Sequence, residues 1–175
     1  MKVLTRRFNI YLALVVLLGL ACGCQTTKKT QTAALRIHIS ISPDPVGTSQ
    51  TISVLRSNPV LITIKREPIL TEANIIQAKV IDNIGGFALE IKFDENGTWL
   101  LEQYSAANPG GNFVIWGQWS EKAVDSRWLA APIITHRISN GVLSFNVDLS
   151  SREEAEKFVL GLNNAAKAIH KKMLK

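Results

Sequence analysis

The N-terminal segment decides how much of this chain can belong to a folded domain. Lys2, Arg6 and Arg7 make the first seven residues positively charged, and these seven include no acidic residue. Residues 8–21 are almost wholly apolar, with Asn9 as their one strongly polar residue. This apolar run is shorter than the about 20 residues that a membrane-spanning helix requires. A charged start followed by a short apolar run predicts a signal peptide, which is excluded from the folded domain.

A cysteine motif follows the apolar run and resembles the lipobox of bacterial lipoproteins. In that motif a cysteine is acylated, and the chain is cut immediately before it. Cys24 has the small residues Gly23 at position −1 and Ala21 at position −3. Cys22 is the alternative, although the bulky Leu20 precedes it by two positions. The two cysteines are too close in sequence for ordinary disulfide geometry. The resemblance implies lipidation, with palmitate among the attached acyl groups, at Cys24.

These features divide the 175 residues into three parts. Residues 1–23 are predicted to be a lipoprotein signal peptide. Residues 24–34 are polar and lack aromatic side chains, which predicts a flexible tether. Residues 35–175 then form one domain of ordinary size. The lipoprotein resemblance implies that the mature chain is held on a membrane of the bacterial cell envelope by its lipid and faces the periplasm.

The charge of the mature chain argues against a nucleic-acid partner. The whole sequence has 20 Lys and Arg residues against 14 Asp and Glu residues, a formal net charge of +6. Cleavage before Cys24 removes three cationic residues and no acid, leaving 17 against 14 and a net charge of +3. Nucleic-acid-binding domains carry a concentrated basic face, and no basic cluster marks one in this sequence.

Alternation of polar and apolar residues predicts an antiparallel sheet. The clearest alternation lies in residues 87–93, where large apolar residues occupy every second position. A helical turn is predicted after Thr71, within residues 70–82. The predicted strands are residues 36–42, 51–55, 60–65, 87–93, 113–119, 128–135 and 142–147.

Two main helices are predicted from their boundary residues. Asp94 is placed to cap the first helix, and the Asn-Pro-Gly run that begins at Asn108 ends it. Ser150 and Glu153 have the spacing of a capping box at the start of the second helix. The order of strands and helices predicts an α+β fold with the helices packed on one face of the sheet. One apolar face of the second helix consists of Ala155, Phe158, Val159, Leu162, Ala166, Ile169 and Met173.

Residues from about 70 to 169 also carry a series of short motifs in a particular order. They are Leu70-Thr71-Glu72 with Ile75 and Ala78, residues 85–94 with Gly97, Asn108 with Gly110, Ala131-Pro132-Ile133-Ile134, Ile138 with Asn140-Gly141, residues 143–147, and residues 150–155 with Leu160 and Leu162. In order and spacing they resemble the first periplasmic domain of SecD, a membrane protein that assists bacterial protein export. The resemblance implies a ferredoxin-like sheet with two main helices on one face, to which the N-terminal strands are an addition.

Catalytic and metal-binding patterns are not found in the sequence. His38, His136 and His170 are far apart, without partners at the spacing of a metal site or a catalytic triad. An acid–base pair of His136 with Asp125 is the one alternative. We therefore predict no catalytic residue, no metal and no cofactor, and a protein that is not an enzyme.

The tryptophans are the unusual residues of the predicted domain. Trp116 and Trp119 are three residues apart in one predicted strand, so their side chains are expected on opposite faces of the sheet. Together with Trp99 and Trp128, the exposed one of the two would form a surface aromatic patch. Trp116, Trp119 and Trp128 are therefore the candidate polypeptide-binding residues. Ordinary core packing is the alternative interpretation of all of them.

The SecD resemblance and the lipobox together predict a non-enzymatic envelope lipoprotein that binds protein, either exported polypeptide or a component of the export machinery. An alternative is a structural envelope lipoprotein that keeps the fold without a binding role. A surface aromatic patch favours the first function, and a uniformly charged surface favours the second. An envelope hydrolase would need catalytic residues that the sequence does not contain.

Overall fold

The computed structural model describes residues 31–44, 46–119 and 125–173, and Cys24 and the signal peptide lie outside this part of the chain. The described strands are β1 (Ala33–Ile39), β2 (Ser49–Val54), β3 (Val60–Lys65), β4 (Leu70–Thr71), β5 (Ile75–Asn83), β6 (Gly86–Phe93), β7 (Phe113–Trp119), β8 (Asp125–Ala130) and β9 (Val142–Asn146). The helices are α1 (Glu95–Ala107), α2 (Arg152–Met173) and a short 3-10 helix, Glu72–Asn74.

The strands pair in three antiparallel sheets. The order in the four-stranded sheet is β4-β1-β7-β8, and the three-stranded sheet has the order β5-β6-β9. Strands β2 and β3 form a separate hairpin. The predicted α+β class, with antiparallel strands and two main helices, is confirmed.

The main core lies between these sheets and the two helices. Phe158 and Leu162 of α2 are fully buried together with Ile91 of β6 and Leu101 of α1. Helix α2 approaches β1 closely at Gly161, where an added Cβ would lie 2.9 Å from the Cβ of Ala33 and force the two elements apart. This contact holds the start of β1 against the helix.

The helix boundaries follow the predicted capping chemistry, with one shift. The Asp94 carboxylate accepts the N–H of Gly97 at 2.7 Å, and α1 ends before Asn108, as predicted. Helix α2 is capped by Ser151, whose hydroxyl accepts the N–H of Glu154 at 3.1 Å, so the predicted pair is displaced by one residue. The Glu154 carboxylate accepts the Ser150 N–H at 2.7 Å and lies 3.0 Å from the Arg127 guanidinium, so it joins the start of α2 to β8.

Two segments differ from the sequence prediction. The helical turn expected within residues 70–82 is limited to the 3-10 helix, and residues from Ile75 onward form β5, paired with β6. This segment is rich in β-branched isoleucine and valine, which favour a strand. Strand β1 begins at Ala33, two residues before the predicted start of the domain, because Ala33 pairs with Trp119 of β7.

The β2–β3 hairpin covers part of the outer face of the four-stranded sheet, the face directed away from α2. Ile52, Val54 and Ile64 of the hairpin form a second, smaller core with Val114 of β7. The rest of this outer face, around Trp116 of β7, forms part of the candidate site.

Candidate functional site

The two tryptophans of β7 lie on opposite faces of the four-stranded sheet. Trp119 is buried in the main core, with its ring centroid 5.2 Å from that of Phe158 in an edge-to-face arrangement. The Arg127 guanidinium stacks over the same indole, 4.7 Å from its ring centroid. Trp116 is half-buried and points to the outer face. Trp119 therefore packs the core and is not available on the outer face.

Trp116 and Trp128 are neighbours in a row that crosses three strands. The register pairs Arg36 of β1 with Trp116, and Trp116 with Trp128 of β8. The Arg36 guanidinium lies 5.2 Å from the Trp116 ring centroid, within the range of a cation–π contact. We call Arg36, Trp116 and Trp128 the outer aromatic row. Trp99 stands apart on α1, exposed beside Arg137.

His38 lies beneath the hairpin next to this row. Its ring meets Trp128 edge-on at 5.3 Å between centroids, and its Nδ1–H donates to the Lys65 carbonyl at 2.9 Å. Burial lowers the pKa of His38, the hydrogen bond to Lys65 opposes this effect, and the nearby charge of Arg36 adds to it. The lowered pKa favours the neutral form of the imidazole. It is a packing and hydrogen-bonding residue here, which joins the hairpin to the sheet.

A groove with several exposed apolar side chains runs beside the hairpin, and sequence reasoning missed it. Leu61 is 75% exposed and Ile133 is 65% exposed, and both line a cavity of about 680 Å³. Leu55 and Val60, also exposed, contribute to the same wall. We call this cavity the hairpin groove. A signal was present in the sequence: Val60, Leu61 and Ile62 are consecutive apolar residues in one strand, so at least one must point away from the core.

The backbone at Leu55 is strained where it enters the hairpin groove. Its φ is +69°, a left-handed conformation that is uncommon for a residue other than glycine. Such a conformation costs on the order of 1–3 kcal/mol and tends to occur at binding sites. The turn thus exposes a leucine at the groove at the expense of stability.

A second cavity, of about 620 Å³, lies between β9 and the segment that follows β8. Ile134 and Ile138 line it from that segment, and Val142 and Ser144 line it from β9. We call it the β9 cleft. Ile133 lines both the β9 cleft and the hairpin groove, so the two cavities meet at this side chain.

The three histidines are dispersed over the described structure. His170 Nε2–H donates to the Ile75 carbonyl at 3.0 Å, and the His136 ring bonds to the hydroxyl of its neighbour Thr135 at 2.9 Å. Within residues 31–44, 46–119 and 125–173, no group of three or more His, Cys, Asp or Glu side chains is arranged to hold a metal ion. No helix of the same residues combines the length and apolar character needed to cross a membrane.

Comparison of the sequence with known families finds no matching family model, and comparison with curated proteins finds no significant match. Solved structures of SecDF are nevertheless similar to this chain. One, described as a membrane component that enhances protein export, has a TM-score of 0.53 and 22% identity, covering 77% of this chain and 63% of that chain. SecDF in its super-membrane-facing form has a TM-score of 0.53 and 21% identity, covering 77% and 19%.

These similarities show a shared fold. The chain spans less than two thirds of the length of either SecDF chain. The SecD-like architecture that the sequence motifs predicted is confirmed at the level of the fold.

Proposed function

We propose that this protein is a non-enzymatic lipoprotein of the bacterial envelope, anchored through Cys24, that binds unfolded polypeptide beside its membrane. The hairpin groove carries this proposal. It presents Leu61 and Ile133, both mostly exposed, in a recess that also includes Leu55 and Val60. Exposed apolar groups concentrated in a recess mark binding sites on soluble domains.

The chemistry of the groove favours a polypeptide over a small molecule. Its walls combine aliphatic side chains with the polar groups of Ser40, Thr63 and Asn112, a mixture that suits the apolar side chains and amide groups of an unfolded chain. The outer aromatic row lies on the same side of the four-stranded sheet as the hairpin and extends the surface with two indoles. Tryptophan and arginine are the residues that contribute most at protein interfaces.

The fold shared with SecDF supports the same function. One of the similar SecDF structures is described as enhancing protein export. A lipid-anchored domain of this fold would meet exported chains where they leave the membrane.

The binding function is testable with matched isoleucine and leucine variants. The probe is a reduced and carboxymethylated protein that remains unfolded, and its affinity is measured by fluorescence anisotropy. An apolar side chain that covers a carboxylate removes its water without replacing the lost hydrogen bonds, which is unfavourable. Leu61→Glu and Ile133→Glu are therefore expected to weaken binding by about tenfold. Ile84→Glu, on a fully exposed residue outside the groove, is the control and should bind as the wild type does.

Two results would contradict the proposal. If the wild-type protein has no measurable affinity for the unfolded probe, the proposal of polypeptide binding is wrong. Equal losses in the Ile84→Glu control and in the groove variants would show that surface charge, and not the groove, controls the affinity. Photocrosslinking from position 61 in cells, followed by identification of the attached chains, then tests whether exported proteins are the partners.

A further inference from the structure

One edge of the three-stranded sheet carries unpaired main-chain groups. The Phe93 N–H bonds to the Gly141 carbonyl at 2.9 Å, which sets the alternation of the β6–β9 ladder. In an antiparallel pair, alternate residues direct their main-chain groups to opposite sides. Leu143 therefore bonds toward β6, whereas Ser144 and Asn146 direct their N–H groups away from it. Among the described residues, neither of these two N–H groups has a hydrogen-bond partner.

The opposite edge of the same sheet is closed by side chains of α2. The Asn163 amide accepts the Ala78 N–H at 2.8 Å and donates to the Ala78 carbonyl at 2.9 Å. His170 donates to the Ile75 carbonyl, also on β5, at 3.0 Å. Proteins commonly cover sheet edges in this way to prevent pairing with other chains. Within the described residues, α2 covers the edge of β5; at β9 the Asn140 side chain accepts the Val142 N–H at 3.1 Å, and the Ser144 and Asn146 N–H groups have no partner.

The open edge of β9 faces a recess of suitable shape. Just beyond β9, the Asp148 N–H bonds to the Leu129 carbonyl of β8 at 2.8 Å, so the two sheets touch at this point. From there the segment after β8 diverges from β9, and the β9 cleft of about 620 Å³ lies between them. Added strands lie about 4.8 Å from their neighbours, and ligand-binding clefts have volumes of about 300–1,000 Å³.

We propose that the β9 cleft binds an extended segment of unfolded polypeptide by strand addition, with its main chain paired to Ser144, which lines the cleft, and continuing toward Asn146, which lies outside it. This inference rests on the proposed function and specifies how the polypeptide is held. Main-chain pairing is independent of the sequence of the bound segment, as recognition of many different chains requires. Ile133, which lines both cavities, lets side chains of the same segment enter the hairpin groove.

The shape of the recess favours a single extended chain over a second copy of this protein. The cleft is walled on its far side by the segment carrying Ile134 and Ile138. A folded sheet from a second copy would have to displace that wall, whereas one strand needs only its own width. The unpaired N–H groups of Ser144 and Asn146 complement the carbonyl groups along one side of an extended chain.

Strand addition predicts that removing one outward N–H group from the edge of β9 weakens peptide binding. Ser144→Pro removes the outward N–H, which the β6–β9 ladder does not use, and proline is tolerated at such edge positions. Ser144→Ala keeps that N–H and is the matched control. The probe is a synthetic ten-residue peptide of alternating valine and threonine, titrated against the full-length protein in detergent. We expect binding to be about tenfold weaker for Ser144→Pro than for Ser144→Ala.

A second measurement changes the peptide and leaves the protein intact, so it does not depend on the folding of the proline variant. N-methylation of every second peptide residue removes the main-chain donors along one side while the side chains remain. Strand addition predicts loss of binding for this peptide. Equal affinity of the methylated and unmethylated peptides would overturn the inference, as would equal affinity of the two Ser144 variants.

The remaining outcomes separate the inference from the proposed function. If Leu61→Glu weakens binding of the unfolded protein probe but Ser144→Pro does not, polypeptide binding stands and strand addition fails. If wild-type protein binds neither probe, the proposed function fails and the inference fails with it. If Ser144→Pro changes the sedimentation behaviour of the protein and not its peptide affinity, the edge pairs with a second copy, which also overturns the inference.

Discussion

Trp116 and Trp119 belong to one strand, yet their surroundings differ because adjacent residues of a strand point to opposite faces. Trp119 lies between Phe158 and Arg127 in the main core, and Trp116 lies under Arg36 on the outer face. The position of each side chain follows from its place in the strand alternation. The side chains that cover each face come from distant parts of the chain. Because α2 covers one face with Phe158, Trp119 lies in the core.

The two tryptophans are expected to respond differently to truncation. Trp119→Ala removes a buried indole and should lower the free energy of unfolding by about 3–5 kcal/mol. Trp116→Ala should cost less stability, because this side chain is half-buried, and should weaken binding of the unfolded protein probe. Urea denaturation and fluorescence anisotropy on the same two variants measure both effects. Heavy destabilisation by both substitutions would leave the outer aromatic row without a binding role.

The lowered pKa of His38 predicts that the stability of the domain depends on pH. Burial lowers its pKa in the folded protein, so the unfolded chain, with a histidine pKa of about 6.5, binds the proton more readily. The stabilisation is therefore complete above about pH 6.5 and is lost as the pH falls through the lowered pKa of the folded state. Comparison of urea denaturation at about pH 8 and about pH 5 in wild type and His38→Asn tests this. The asparagine amide can still donate to the Lys65 carbonyl but does not titrate, so an equal pH dependence in both proteins would exclude His38 as the cause.

At the scale of whole elements, neighbouring residues were sufficient to predict some helix and strand boundaries and not others. Strand β7 occupies the residues predicted for it, and Asp94 caps α1 through its own carboxylate, because both depend on adjacent residues. The predicted helical turn after Thr71 is present as the 3-10 helix Glu72–Asn74, but residues from Ile75 onward form β5 with its partner β6, because the apolar spacing there fits both periods. The cap of α2 lies at Ser151, one residue after the predicted Ser150, and the Glu154 that it caps also pairs with the distant Arg127, a contact that local sequence does not reveal.

Helix α2 provides a matched test of how its packing stabilises the domain. Leu162 is 0% exposed and Leu160, on the same helix, is 54% exposed. Leu162→Ala should therefore lower the free energy of unfolding by about 2–5 kcal/mol, and Leu160→Ala by less than about 0.5 kcal/mol. Chemical denaturation of both variants gives the difference directly. Similar small losses at the two positions would mean that α2 does not pack on the sheets as described.

At the scale of the whole molecule, the sequence motifs predicted the SecD-like architecture, whereas Trp116, Trp119 and Trp128 were candidates for the site on strand alternation alone. Strand alternation predicted that Trp116 and Trp119 lie on opposite faces, but it left open which of them faces outward, and it did not predict the pairing of Trp116 with Trp128. The hairpin groove and the β9 cleft were not predicted. Both are spaces between elements, and their walls come from β3, β9 and the segment after β8, whose relative placement no local pattern encodes.

The position at which the chain enters the domain relates the predicted lipid anchor to the proposed binding surfaces. Seven peptide bonds separate the predicted lipidation site, Cys24, from Gln31, whose carbonyl accepts the Asn164 amide of α2 at 3.0 Å. A fully extended chain of this length spans at most about 25 Å. Lipidation at Cys24 would therefore keep the domain close to the membrane surface, where unfolded chains emerge during export.

Lipidation at Cys24 can be separated from lipidation at Cys22 by a matched pair of substitutions. Cys24→Ala should prevent acylation and maturation, because the acylated thiol is lost. Cys22→Ala should leave the mature protein unchanged in mass, because cleavage before Cys24 removes position 22. Cell fractionation and intact-mass spectrometry of both variants measure the two outcomes. A Cys24→Ala protein that matures to the wild-type size and stays on the membrane would assign the anchor to another residue, and a loss of acylation in Cys22→Ala alone would move it two positions toward the N-terminus.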